Sequence, residues 1–469
     1  MSSIPPPSSK SSNKKILALA LPMATMQFIV VSSSFLCMTM LAQLGHEVLA
    51  ASALIFSTQL AFMVIAMSIL FSLSVLISQS FGAKNYEDIG SMVQQGWILS
   101  VLIAIPIIII FWNIKPLLIF AGQKESLATI VQVFFRAYVW GFIPLLLCVC
   151  NQQLCYGVGK QRLVIITGFI EVGVLIGIAY PLIFGKFGLP QLGVAGLGYA
   201  MAAQAWFYFL FTTACFHFDK YFKSFELFKY RANWNSLTKM FKVGWPISLL
   251  MGGEMLSFFV TSTMVGWISV NALAAYQIII QYIFLIVVPI FAISQASGIL
   301  IGQACGSKQF HQIKSLGFSS MRLTFIISII VAVIMILFPR ALASLYLDVN
   351  NPLNDETLHL AVLLFAIVAF SQIFDALKNL LLGALRGLLD TKYPMLIGLL
   401  SLWILGVPLS YILAFICHWG AIGIAVGSGV GMFIGALGML YRWHKFTSML
   451  ITKFSEHFPK PFEIKKEMK

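Results

Sequence analysis

The sequence predicts an all-α integral membrane protein. Its twelve transmembrane helices form two parallel six-helix lobes, related by a pseudo-two-fold axis along the membrane normal. Hydrophobic residues make up 59% of the 469 positions and charged residues only 10%, whereas a soluble domain carries about a quarter charged residues. Apolar runs recur at the length of about 20 residues that a membrane-spanning helix needs, and the second half of the chain repeats the first. A soluble fold is therefore excluded.

Twelve apolar runs are long enough to cross the hydrocarbon core of a bilayer. They are predicted at 16–40, 50–80, 92–112, 130–155, 163–185, 193–216, 243–268, 275–304, 317–338, 359–385, 395–416 and 420–441. The segment before the first run is polar and basic and lacks a small-residue cleavage site, so the first span is expected to be kept. The predicted domains are an N-terminal tail (1–15), an N-lobe (16–216), a connector (217–242), a C-lobe (243–441) and a basic C-terminal tail (442–469).

The basic residues predict how the chain is oriented. If both termini lie on one side, 24 of the 30 Lys and Arg residues fall on that side, four fall opposite, and Arg136 and Lys378 lie within spans. The positive-inside rule makes the basic side cytoplasmic. The net charge of +14 thus reflects topology, and because the charges are scattered over short loops, nucleic-acid binding is not expected. Aromatic and basic residues alternate in the connector, which is either a segment at the lipid headgroups or a solvated linker.

An internal repeat relates the two halves of the chain. A shift of 224 residues places Pro22 on Pro246, and a longer set of identities follows in the same register. The further pairs include Gln79 with Gln303, Gly82 with Gly306 and Lys84 with Lys308. Because each half contains an even number of spans, both halves enter the membrane from the same side and are parallel repeats. Transporters built from such repeats hold their substrate between the lobes and rock one lobe against the other.

Three acidic residues, Glu171, Glu254 and Asp375, lie deep inside predicted spans. A carboxylate at the centre of a membrane helix costs about 2.5–3.5 kcal/mol on insertion, so these side chains are expected to face the helix bundle or water. With a rise of about 1.5 Å per residue, Glu254 lies about 18 Å from Lys242 and Asp375 about 16 Å from Arg386. The two acids of the second lobe therefore share one depth near the middle of the membrane.

Glu254 and Asp375 are the predicted cation-coupling residues. Two carboxylates close together in a medium of low dielectric constant do not both ionise cheaply, so one of them is expected to hold a proton or to share a cation. The alternative is that they only join helices by hydrogen bonds. Lys378 follows Asp375 by three residues on the same helix face, and either occupies the site when no cation is bound or forms a static salt bridge. Glu171 is a possible coupling residue or a helix contact.

The candidate cargo site and the expected ligands follow from the remaining polar residues. Gln277, Gln281 and Tyr282 on the eighth span are candidate lining residues of a substrate cavity. Walls rich in Met and Phe suit bulky organic molecules that are cationic or zwitterionic. No cofactor or metal is expected, apart from Na⁺ or H⁺ as a coupling ion, because the Cys and His residues lack metal-ligand spacing. No HExxH or GxSxG motif indicates an enzyme, and a monomer in the lipid bilayer is expected.

Four stretches resemble the multidrug and toxic compound extrusion (MATE) family, in its bacterial NorM-like branch, over about residues 14–445. They are GWPISLLMGGEM at 244–255, FDALKNLLLGALRGLLDTKYP at 374–394, ALAAYQI at 272–278 and GKFGLPQLGVAGLG at 185–198. The resemblance implies export of organic cations or drugs in exchange for Na⁺ or H⁺. It also implies a location in a bacterial inner membrane, with Glu254 and Asp375 at the acidic positions of the family's second lobe.

The sequence departs from the family pattern in the first lobe. Cys37 stands where members commonly carry an Asp, and Ala42 stands at the Gly that follows it. Leu175 and Ala179 replace the asparagines that are often found in the fifth span, and Lys378 stands at a Gln position. The family's first-lobe cation site is therefore not carried over to this chain.

Two other functions remain open from the sequence. A flippase for lipid-linked precursors, from the same superfamily, is expected to have a strongly basic central cavity. Only Arg136 and Lys378 lie within the predicted spans apart from Arg322, which is near the basic-side end of the ninth span. A membrane receptor or scaffold that transports nothing is the alternative from a different class. Solute flux driven by an ion gradient would distinguish a transporter from a receptor.

Overall fold

The computed structural model describes residues 9–229, 234–348 and 351–457. In these ranges the chain forms twelve helices that are long and apolar enough to span a membrane, and no strand. The helices are α1 (Ser9–Ala42), α2 (His46–Gly82), α3 (Tyr86–Trp112), α4 (Glu125–Gly157), α5 (Gln161–Phe184), α6 (Val194–Phe218), α7 (Trp234–Gly266), α8 (Val270–Gly306), α9 (Phe310–Leu337), α10 (Pro352–Gly387), α11 (Lys392–Ile416) and α12 (Gly420–His457). The predicted twelve-span membrane protein is confirmed.

Several helices deviate from regular α geometry. A 3₁₀ turn at Val139–Gly141 interrupts α4, and α11 contains two π-helical segments, Ser401–Gly406 and Ile412–Ile416. The repeat prolines Pro22 and Pro246 lie inside α1 and α7. Membrane helices tolerate such interruptions because neighbouring helices and local adjustments satisfy the freed backbone groups.

Most helices are somewhat longer than the predicted spans, and two of them extend furthest. Helix α7 begins at Trp234, inside the segment predicted as the connector, and α12 continues to His457, inside the predicted C-terminal tail. Outside the hydrocarbon core a helix can continue without an apolar run. Lys and Arg side chains there lay their apolar stems along the helix while their charged ends reach water. Residues 1–8 and 458–469 of the predicted tails lie outside the described residues.

The two lobes, α1–α6 and α7–α12, meet along equivalent helices. Helix α2 packs against α7 and α8, while α8 packs against α1 as well as α2. The Gln79 side chain donates a hydrogen bond to the Gly387 carbonyl (2.9 Å), and its repeat counterpart Gln303 donates one to the Gly157 carbonyl (3.0 Å). Gly157 and Gly387 are repeat counterparts under a slightly larger shift of 230 residues, so one bond is the pseudo-two-fold image of the other.

The ends of α2 and α8 approach each other at two repeat glycines. A Cβ atom on Gly82 would overlap the carbonyl of Gln303, and a Cβ atom on Gly306 would overlap the carbonyl of Gln79. Both contacts lie on the side of the membrane that carries the termini, which we call the terminal side. Among the described residues, the four interlobe hydrogen bonds all lie in the half of the protein toward that side, or near its middle. The lobes are therefore closed together on the terminal side.

The connector between the lobes is attached to the N-lobe. Phe222 and Phe225 are buried, and the Gln94 side chain on α3 donates hydrogen bonds of 2.8 Å to the carbonyls of Leu227 and Lys229. This differs from the expectation of a solvated linker, whereas a position of the segment at the lipid headgroups stays a prediction. The physical reason is that these rings pack into an apolar groove of the N-lobe, while Phe228 stays exposed.

Candidate functional site

Three charged side chains meet between α7 and α10 in the C-lobe. The Nζ atom of Lys378 lies 2.9 Å from Asp375 Oδ1 and 3.0 Å from Glu254 Oε1. We call these residues the acid–lysine triad. The structure thus brings the two predicted coupling acids to one lysine, which the sequence had linked only to Asp375.

The triad is shielded from water and carries an unbalanced charge. Side-chain exposure is 3% for Lys378, 11% for Asp375 and 15% for Glu254. The contact at Glu254 is an ion pair whose geometry falls outside that of a hydrogen bond, so Glu254 Oε1 keeps hydrogen-bonding capacity. With both acids ionised and the lysine protonated, the triad has a net charge of −1. It can therefore accept one further positive charge.

Close packing of α11 and α12 positions the triad. A Cβ atom on Gly435 of α12 would lie 3.3 Å from Lys378 Cδ and 2.7 Å from Ser401 Oγ, so the glycine leaves room for the lysine stem. The Trp403 indole, in the first π-helical segment of α11, donates a hydrogen bond to the Gly253 carbonyl (3.2 Å), one residue before Glu254. Such π-helical segments occur frequently at functional sites.

Asn379 is a fourth member of this site that was not predicted from the sequence. Its side-chain amide donates hydrogen bonds to the Asp375 carboxylate (2.9 Å) and to the Asp375 carbonyl (3.0 Å). The Asn379 carbonyl in turn accepts a hydrogen bond from Ser294 of α8 (2.7 Å). The available signal was the spacing of four residues, which places Asn379 on the same helix face as Asp375.

Glu171 lies in the other lobe and does not join the triad. It is on α5, where its Oε1 atom accepts a hydrogen bond of 2.5 Å from the Gln204 side chain of α6. Its Oε2 atom is shielded from solvent and has no hydrogen-bond partner. Glu171 also forms no ion pair within the part of the chain that the structure describes.

The candidate cargo residues on α8 fall into two groups. Gln277 and Gln281 are exposed on one helix face. Tyr282 instead donates its hydroxyl to the Leu342 carbonyl (2.8 Å) and packs against Tyr346 and Phe365, with ring centroids 5.9 and 5.4 Å apart. Tyr282 is therefore engaged in contacts within the C-lobe, and a role of all three residues in cargo binding stays a prediction.

The first-lobe positions where the family carries polar residues are apolar here. Cys37, Leu175 and Ala179 are all buried in the N-lobe core. Within the described ranges, no group of three or more His, Cys, Asp or Glu residues has the geometry to hold a metal ion. In the part of the chain that is described, the shielded carboxylates within the membrane helices are those of the triad and of Glu171, while buried Asp390, between α10 and α11, is paired with Arg442 (2.6 Å).

A family model and the sequences of known proteins match nearly all of this architecture. The family model MatE matches residues 22–183 and 246–412, two stretches that begin 224 residues apart, as the internal repeat does. The "Probable multidrug resistance protein NorM" of Synechocystis sp. is 26% identical over 436 residues, which cover 92% of this chain and 94% of that protein. The protein of the same name from Burkholderia pseudomallei is 29% identical over 449 residues and 95% of both chains.

Solved structures share the fold. The Vibrio cholerae MATE transporter VcmN in its bent form superposes with a TM-score of 0.83 at 18% identity, covering 95% of this chain and 99% of that one. A multidrug resistance MATE family transporter of the MOP superfamily, in an outward-facing conformation, gives the same TM-score and identity, with coverages of 94% and 96%. The family match extends over both lobes and well over half of the chain. This chain belongs to the MatE family.

Proposed function

We propose that this chain is a secondary active multidrug efflux transporter. It exports small organic cations or zwitterions in exchange for inward Na⁺ or H⁺ by alternating access, coupled mainly through Glu254 and Asp375. Membership of the MatE family and the names of the relatives, which are multidrug resistance proteins, support a transporter rather than an enzyme.

The net charge of the acid–lysine triad is the observation that carries the coupling proposal. Two ionised acids and one lysine give the triad itself a net charge of −1 in a shielded site, and such a charge is costly away from water. Buried Arg386 acts on Glu254 only through longer-range electrostatics and forms no ion pair with it among the described residues. A coupling cation or a cationic cargo compensates this net charge, but a single negative charge does not compensate both of them at once. Binding of either ion therefore displaces the other, which is the requirement for exchange.

Lys378 acts in this proposal as the resident counter-ion of the site. It contacts acids on two different helices, α7 and α10, so it keeps both carboxylates in place while neither cargo nor coupling ion is bound. A static salt bridge within α10 alone would leave Glu254 without a partner. The bridging position thus favours the first of the two roles that the sequence left open for Lys378.

Alternating access follows from the interlobe contacts. We infer that the terminal side is cytoplasmic, because most Lys and Arg residues fall on that side. Both termini then lie in the cytoplasm of a bacterium, and the protein spans its inner membrane. With the lobes closed on the terminal side, this conformer is closed to the cytoplasm, as expected after cargo has moved outward.

The charge of the triad also distinguishes the rival functions. A flippase for anionic lipid-linked precursors needs a cavity with excess positive charge, whereas the triad has excess negative charge and favours cationic cargo. A receptor or scaffold has no need for a buried site of unbalanced charge between helices, because such a site costs stability.

Accumulation of ethidium in a bacterial host that lacks its own drug efflux pumps tests the proposal. Cells that express the wild-type chain are expected to accumulate less dye than cells without it, and Asp375→Asn is expected to remove the difference. Asp355→Asn, at the exposed start of the same helix, is the matched control and should behave like wild type. Unchanged accumulation with the wild type would contradict cationic cargo, and full activity of Asp375→Asn would contradict coupling through the triad.

A further inference from the structure

The Glu171 carboxyl group is shielded within a membrane helix of the N-lobe, and its surroundings differ from those of the triad. Oε1 accepts a hydrogen bond from Gln204, while Oε2 is shielded from solvent with no hydrogen-bond partner. The residue is ten positions from the start of α5 at Gln161, which places it about 15 Å along the helix, near the middle of the membrane. It therefore lies at a depth that a transported ion must pass.

Among the described residues, no basic side chain forms an ion pair with Glu171 from a helix that packs against α5. Arg136 of α4 lies over the Trp112 ring instead. Helix α4 presents Cys148 and Tyr156, and α6 presents Gln204 and Tyr208. Helix α1 carries no charged residue between Lys15 and its end at Ala42. On α5 itself, Arg162 lies more than two turns away, at the terminal-side end. An ionised Glu171 would thus be an unpaired buried charge, which strongly disfavours the ionised form.

The groups around Glu171 suit a proton better than a metal cation. A hard cation needs several oxygen ligands, but Gln204 presents its amide nitrogen to the carboxylate. The Tyr208 hydroxyl lies within hydrogen-bond distance of the Thr167 hydroxyl (3.1 Å). A proton needs only the free Oε2 atom, and its binding neutralises the carboxyl without any further ligand.

We propose that Glu171 is a proton-binding site of the N-lobe, separate from the triad, and that its proton moves inward in addition to the cation exchanged at the triad. The coupling half of this proposal rests on the proposed efflux function, whereas the proton-binding half does not. The two lobes then have different ion chemistry. The C-lobe site keeps a lysine as its counter-ion, and the N-lobe site loads and releases a proton.

Infrared spectroscopy of the protein reconstituted in lipid tests proton binding without any transport. The wild type is expected to show the C=O band of a protonated carboxyl group at neutral pH, and Glu171→Gln is expected to lose it. Glu254→Gln, in the triad, and Glu47→Gln, at the exposed start of α2, should keep the band. Absence of the band in the wild type, or its persistence in Glu171→Gln, would overturn the assignment.

A second variant tests the same assignment if Glu171→Gln fails to fold. Gln204→Leu removes the hydrogen bond to Oε1 but keeps the acid. The carboxyl band should therefore persist and move to higher frequency, as C=O bands do when they lose a hydrogen-bond donor. An unmoved band in Gln204→Leu would show that the protonated group is not Glu171.

Ethidium flux in proteoliposomes tests the coupling half. Flux through the wild type is expected to follow an imposed pH gradient, and Glu171→Gln is expected to lose that dependence while still binding the dye. A wild type that carries no ethidium would contradict the proposed function and leave the infrared assignment intact. Flux through Glu171→Gln that responds to the pH gradient as the wild type does, or wild-type flux that responds only to a Na⁺ gradient, would contradict proton coupling at Glu171.

Discussion

At the scale of single residues, the C-lobe site depends on a charge balance around Lys378. The lysine compensates one of the two charges of Glu254 and Asp375, and Asn379 donates a hydrogen bond to the remaining oxygen of Asp375. Each partner lowers the cost of keeping a carboxylate away from water, and neither removes the last negative charge. The site is therefore stable enough to persist when empty and still attracts one cation.

Removal of the lysine is expected to destabilise the protein. Lys378→Met leaves two shielded carboxylates without a counter-ion, and breaking a buried ion pair in this way costs about 3–5 kcal/mol. Thermal unfolding in detergent, followed by circular dichroism, measures the effect. The double variant Lys378→Met with Glu254→Gln should recover most of the loss, because only one carboxylate then remains. Equal stability of Lys378→Met and wild type would contradict the ion-pair geometry.

A substitution on α12 tests whether packing positions the lysine. Gly→Ala inside a helix is normally favourable by about 1 kcal/mol, but a Cβ atom at Gly435 would crowd Ser401 and the Lys378 stem. Gly435→Ala is therefore expected to lower stability by about 1–3 kcal/mol, as overpacking does, and to weaken ethidium binding measured by fluorescence polarisation. Gly177→Ala on α5, where a Cβ atom meets no neighbour, is the control. A stabilised Gly435→Ala variant with wild-type binding would contradict this packing role.

The sequence predicted part of this site for a geometrical reason. The depth of Glu254 and Asp375 follows from the rise of a helix and from the basic residues at its end, so their shared level was predictable. The bridge from Lys378 to Glu254 and the space beside Gly435 depend on how α7, α10 and α12 pack. They cannot be predicted from the spacing of residues along one helix.

At the scale of helices, the paired ends of α2 and α8 close the terminal side. Gln79 and Gln303 each donate one hydrogen bond to the other lobe, and Gly82 and Gly306 allow the backbones to touch. The repeat made the equivalence of these residues predictable. Their contact across the pseudo-two-fold axis was not predictable, because the register says which residues are equivalent and not which ones meet.

Loss of both glutamine contacts is expected to open the terminal side. Each hydrogen bond contributes about 1 kcal/mol, so Gln79→Leu with Gln303→Leu should shift the closed–open equilibrium by about 2 kcal/mol, or on the order of 30-fold. Spin labels at Asn85 and Gln309, which are exposed repeat counterparts, report the interlobe distance. The variants also need serine at the cysteines that are not buried, Cys215, Cys305 and Cys417.

An intralobe glutamine provides the matched control for this distance measurement. Gln132 donates its hydrogen bond to the Trp112 carbonyl within the N-lobe, so Gln132→Leu removes a comparable bond without touching the interface. It should leave the distance distribution unchanged. A distribution that stays closed in the double variant would show that the glutamine contacts do not set the equilibrium.

At the scale of the whole molecule, the twelve helices and the duplication followed from the sequence because membrane helices need long apolar runs. The positions where α7 begins and α12 ends did not follow from the sequence, because long basic side chains let a helix continue beyond the hydrocarbon core. The chain is a symmetric scaffold with asymmetric chemistry. Its C-lobe carries the acid–lysine triad and its N-lobe carries Glu171. In the proposed mechanism, closure of the lobes on one side directs cargo to the other.

We expect organic cations to move through this scaffold in exchange for an inward cation that depends on the triad. The most direct measurement is ethidium efflux from proteoliposomes, with a Na⁺ gradient and a pH gradient imposed separately, for wild type, Asp375→Asn and the control Asp355→Asn. We expect gradient-driven efflux in the wild type and in Asp355→Asn, and none in Asp375→Asn. Efflux that is equally fast in Asp375→Asn, or absent from the wild type under both gradients, would contradict the account.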